Sequence, residues 1–75
     1  MRDADQTRRS LLNSAFAEIY RHGFQAASVA KILRNTRVTK GAFFHHFPTK
    51  KRLGYAVVEE VIAEMIPIVR TMLPP

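Results

Sequence analysis

The sequence predicts an all-α fold, and three observations predict it. Apolar residues recur at helical rather than alternating spacing along most of the chain. Ser28, Thr39 and Thr49 each stand immediately ahead of such a run, where a helix cap belongs. With 75 residues and no cysteine, there is room for one modest core held by packing alone, burying roughly 60% of the surface the unfolded chain exposes. A deep ligand cavity is not expected.

The first helix follows from Leu11, Leu12, Ala15, Phe16, Ile19 and Tyr20, whose spacing lines one face. Asp3 followed by Gln6 resembles a capping box, and Asp5 is an alternative cap. Gly23 supplies the residue that tolerates a left-handed backbone after the helix, letting Phe24 fold back onto the helix end. Ser28 caps a second helix of about two turns with Val29, Ile32 and Leu33 as its apolar positions. Thr36, Arg37 and Val38 form a tight connection. Thr39 then caps a third helix to about Phe47, with Val38, Phe43 and Phe47 buried, stopped by Pro48. Thr49 caps a fourth, with Leu53, Ala56, Val57, Val61 and Met65 on one face, until Pro67 kinks or ends it. Pro74 and Pro75 extend no helix.

Net charge is +6, from 12 Lys+Arg against 6 Asp+Glu, and it is unevenly placed. Residues 1–58 carry +8 and residues 59–75 carry −2; from Ser28 to Arg52 there are seven cations and no acid. Such a field attracts polyanions, nucleic acid or anionic lipid. The N-terminus has charges of both signs and no apolar core of a signal peptide. The stretch from Val57 to Leu73 is interrupted by Glu59, Glu60, Glu64, Pro67 and Arg70, short of the ~20 apolar residues of a membrane span. A cytoplasmic location is expected.

Two short helices joined by a three-residue turn inside an acid-free patch suggest a helix-turn-helix: a homeodomain-like three-helix domain plus the start of a fourth helix. The stretch from Thr7 to about Val61 resembles the DNA-binding domain of TetR (TetR/AcrR) family transcriptional regulators. The resemblance is carried by Thr7-Arg8, Ala15-Phe16, Gly23-Phe24, Ser28-Val29-Ala30-Lys31-Ile32 and, above all, the run from Val38 to Lys50 followed by Leu53. It implies a helix-turn-helix domain over residues 1–50, then a linking helix and the truncated start of a C-terminal domain over residues 51–75.

By that resemblance the third helix is the recognition helix, with Thr39, Lys40, Gly41, Ala42 and His45 at the base edges. Lys40 could donate to guanine and the Ala42 methyl could pack on thymine. Gly41 costs its helix ~1 kcal/mol relative to alanine, which makes sense where backbone approaches DNA closely. Ser28, Phe44, His46, Thr49, Lys50 and Lys51 are the positions expected at phosphates, setting register rather than sequence. Lys50-Lys51-Arg52 places three cations in a first helical turn, where the dipole favours anions; a bound phosphate would compensate. Two residues depart from the family pattern. Phe44 stands where tyrosine is common, so that hydroxyl contact is lost or passes to His45. Thr36-Arg37 replaces a common Ala-Gly, so that Arg37 takes a left-handed conformation or the turn differs.

The implied function is sequence-specific binding of double-stranded DNA by a transcriptional regulator, expected to be a repressor. Full-length members bind a palindromic operator as homodimers. This chain alone is expected to be a monomer or weak dimer, pairing through Val58, Ile62, Ile66, Ile68, Val69, Met72 or Leu73, without the effector site. No cofactor is implied. Catalysis finds no constellation: His45 and His46 point ~100° apart on a helix and His22 is remote, so no metal pair forms. The rival reading is a basic amphipathic module binding anionic membranes or a protein partner, against which Glu59, Glu60 and Glu64 argue.

Overall fold

A computed structural model describes residues 4–72. Its helices are α1 (Ala4–His22), α2 (Val29–Arg34), α3 (Lys40–His46) and α4 (Lys50–Val57). A π-helical turn, Val58–Ile62, prolongs α4 into α5 (Ala63–Met65), and α6 (Pro67–Met72) follows. No strand occurs among the described residues.

The ends of these helices are set by local chemistry. Gly23, at φ +82°, ends α1 in the left-handed region that favours glycine, its N–H donating to the Ile19 carbonyl at 2.8 Å. The hydroxyls of Ser28, Thr39 and Thr49 accept from the N–H groups of Lys31, Ala42 and Arg52 at 3.1–3.2 Å, filling valences that a helix start leaves open. Asp5 lies inside the first turn of α1 and is not its cap; the capping box built on Asp3 lies outside the described residues. Ile66, at φ −130° and ψ 88°, leaves the helical region just before Pro67. The ring of the following proline disfavours helix there, and Pro67 instead opens α6, where its missing N–H is not needed.

One apolar cluster joins Leu11, Leu12 and Ala15 of α1, Ile32 of α2, Phe43 of α3 with Phe47, Leu53, Ala56 and Val57 of α4, and Val61 of the π turn. Each fully buried Leu, Ile, Val or Phe contributes on the order of 1.5–3 kcal/mol. The Phe43 and Phe47 rings tilt at 51° with centroids 6.0 Å apart, in the range where aromatic pairs attract. Ser14 Oγ donates to the Ile32 carbonyl at 2.7 Å, satisfying a carbonyl near the end of α2 and locking it onto α1.

Three positions differ from expectation. Tyr20 is 82% exposed: it lies nine residues after Leu11, half a turn round an α-helix. Glu18, seven residues after Leu11 and so within ~20° of it, is buried instead. Its Oε2 accepts no hydrogen bond among the described residues and stands 4.0 Å from His22 Nε2. Met65 is 62% exposed, with Ala63 taking the buried position. The buried positions of α1 begin at Leu11, while Arg8 and Arg9, a turn earlier, meet Glu60 and Glu64, so no apolar layer faces Met65.

Candidate nucleic-acid interface

The turn between α2 and α3 is built around Thr36. Its N–H and its hydroxyl both donate to the Leu33 carbonyl, at 3.0 and 3.1 Å, and its oxygen accepts from the Val38 N–H at 3.3 Å. One side chain therefore closes α2 and delivers the chain to the α3 cap. Among the described residues no non-glycine residue has positive φ, so Arg37 carries no left-handed strain. Of the two outcomes expected the second holds: the turn differs, shaped by the Thr36 side chain.

Along α3, Lys40, Gly41 and His45 are exposed and Ala42 is half-buried, while Phe43 is fully buried and fixes the helix to the core. Thr39 is exposed; its oxygen is held by Ala42 as an acceptor, and its proton remains available to donate. A β-carbon added at Gly41 would meet nothing within 4 Å. The protein's own packing gives no reason for glycine there. Phe44 presents its ring edge-on to Phe43, centroids 5.0 Å apart at 86°, and stays exposed. His46 is half-buried beside Phe47.

The remaining phosphate candidates stand at the starts of α2 and α4. Ser28 caps α2 and Thr49 caps α4, each acceptor leaving a hydroxyl proton to donate. Lys50 Nζ donates to the Gln25 carbonyl at 3.1 Å and sits 4.9 Å from the centre of the Phe24 ring. These contacts offset the cost of a cation in the first turn of α4 and leave the ammonium further protons to donate. Phe24 thus packs on α4 rather than only on the end of α1. Lys51 is exposed and borders an apolar recess of about 320 Å3 that Ile19, Phe24, Tyr55 and Ile62 also line.

Carboxylate pairing of the cations is uneven along the chain. Arg8 forms a two-pronged pair with Glu60, its Nε donating at 3.2 Å, and lies 4.8 Å over the Phe47 ring. The Glu60 hydrogen bond, aided by its charge and opposed by burial, raises the Arg8 pKa. Arg9 pairs with Glu64 at 3.5 Å. Among the described residues, none of the seven cations from Lys31 to Arg52 has a carboxylate partner. The sequence reading missed these α1 pairs; their signal is two adjacent arginines and two glutamates four apart, one helical turn.

A short helix, a turn without strain and an exposed second helix anchored by one buried phenylalanine define a helix-turn-helix domain with a basic working surface. The family description "Bacterial regulatory proteins, tetR family" matches residues 11–57. The chain belongs to that family. It is 37% identical over 57 residues to the A-factor receptor protein of Streptomyces griseus, covering 76% of this chain and 21% of that protein. It is 49% identical over 47 residues to the transposon Tn10 TetC protein of Escherichia coli, covering 63% and 24%. To the HTH-type transcriptional repressor AcnR of Corynebacterium glutamicum it is 33% identical over 63 residues, covering 84% and 34%. The chain therefore spans about a fifth to a third of the length of these relatives. No solved structure matches it significantly. No helix among the described residues is long and apolar enough to cross a membrane.

Proposed function

We propose that this chain binds duplex DNA sequence-specifically as the reading head of a transcriptional regulator, with α3 in the major groove. Thr39, Lys40, Gly41, Ala42 and His45 face the base edges; Ser28, Phe44, His46, Thr49, Lys50 and Lys51 face the backbone. Phe44, lacking a hydroxyl, contributes ring contact only. The observation that carries this reading is the charge pairing: acids meet Arg8 and Arg9 near the start of α1, whereas among the described residues none of the seven cations from Lys31 to Arg52 has a carboxylate partner. Unpaired cations release counterions from DNA, the main source of non-specific affinity, and the exposed first turn of α3 supplies the groups that read bases.

Residues 1–50 act as the helix-turn-helix unit, and residues 51–75 carry the linking helix towards a dimerisation and effector-binding region. The repressor named among the relatives favours repression over activation, and a palindromic operator bound by a homodimer follows for a full-length protein. Of the apolar residues expected to pair, Ile66, Ile68 and Met72 are exposed and Val58 and Ile62 are half-buried; Leu73 and the side chain of Val69 lie outside the described residues. Competition between anionic liposomes and duplex DNA tests the reading: the chain partitions to duplex at low salt, and retention by liposomes without duplex binding would refute it.

A further inference from the structure

Arg37, in the turn, stands where the duplex-binding reading assigns no contact. Its side chain is exposed and has no carboxylate partner among the described residues. It borders a concavity of about 390 Å3 lined also by Thr7, Val38, Thr39 and Ala42, two of which are base-edge candidates. Arg37 also lines a second concavity, of about 510 Å3, with Asn13, Asn35 and Thr36 among others. Among the described residues no hydrogen bond holds the guanidinium, and the turn is formed by Thr36 without it.

Position along α3 gives it a task. The seven residues of α3 rise about 10 Å, close to the ~12 Å width of the major groove. Arg37 precedes the first turn of that helix and Lys50 follows its last, so the two cations flank it along the chain. We infer that Arg37 is a second backbone clamp, gripping a DNA phosphate at the N-terminal end of α3 as Lys50 does at the C-terminal end. The planar guanidinium binds phosphate through two parallel N–H bonds, and the adjacent concavity leaves room for the phosphate oxygens. Thr7, which also lines it, can add a hydroxyl. The inference rests on the duplex-binding reading and adds to it a residue and a strand.

The test measures affinity for a mixed-sequence duplex across a salt series with the 75-residue chain and its Arg37→Ala, Arg37→Lys and Arg9→Ala variants, folding being checked by circular dichroism. Arg37→Ala lowers the slope of log affinity against log salt by about one unit, so the affinity ratio between about 50 and about 200 mM salt shrinks roughly threefold to fourfold. Arg37→Lys keeps the slope. Arg9→Ala, which removes a cation already paired with Glu64, also leaves it unchanged. An unaltered slope in Arg37→Ala overturns the clamp while leaving the duplex reading intact, and so does an equal fall in Arg9→Ala, which would reduce the effect to net charge. A wild-type chain that binds no duplex overturns the underlying reading and the clamp with it.

Discussion

The ring of Phe24 fills the space where a β-carbon on Gly54 would stand: its Cε1 lies 2.6 Å from that point. The same ring carries the Lys50 ammonium on its face. A glycine on α4 therefore sets the position of an aromatic ring after α1, and through it that of a cation expected at the DNA backbone.

Gly54→Ala sets two effects against each other. Alanine favours the helix by about 1 kcal/mol, but crowding a packed ring costs about 1–3 kcal/mol. The expected result is a net loss, with Tm falling by roughly 4–8 °C per kcal/mol. In a Phe24→Ala background the same substitution stabilises. Thermal denaturation of the four chains in this cycle decides it, and equal shifts in both backgrounds would show that the ring exerts no pressure on the site.

Thr36→Val keeps the shape of the side chain and removes its hydrogen bonds to Leu33 and Val38. Stability falls by about 0.5–1.5 kcal/mol. Duplex affinity falls with it, because the turn that sets α3 against α2 is loosened. Urea unfolding and duplex titration read the two effects; a change in neither would remove Thr36 from its place as organiser of the turn.

Gly41→Ala separates folding from binding. The added β-carbon meets no protein atom within 4 Å and favours the helix by up to about 1 kcal/mol, so Tm rises. Affinity for duplex falls, because the new methyl lies between backbone and DNA. A variant both more stable and equally tight would mean that α3 does not bring this backbone close to its target.

The caps at Ser28, Thr39 and Thr49, the glycine stop at Gly23 and the first three helices are legible because they depend on near neighbours. A hydroxyl three residues ahead of an N–H, a glycine after the last turn and a phenylalanine four residues before another act within one or two helical turns. The assignments that failed depended on geometry farther off. Tyr20 and Glu18 are the exception, decided by local helical angle alone: Tyr20 lies half a turn from Leu11 and Glu18 within ~20° of it. The exposure of Met65, the pairing of Arg8 with Glu60 and the seat of Phe24 on Gly54 depend on how α1 and the loop after it meet the segment from α4 to α5. No window along the chain contains both sides of those contacts. At the candidate site the residue types were readable, whereas the hold of Gln25 on Lys50 was not, since it spans 25 positions.

The central claim is that α3 reads bases while the cations at its ends grip phosphates. It is tested most directly by selecting bound duplexes from a random pool at two salt concentrations with the wild-type chain, Lys40→Ala and Lys50→Ala. The account predicts an enriched motif for the wild type, relaxed preference at one or two base pairs for Lys40→Ala, and for Lys50→Ala the same motif bound more weakly with the salt slope lower by about one unit. Recovery of no motif, or identical motifs and salt slopes in all three chains, would contradict it.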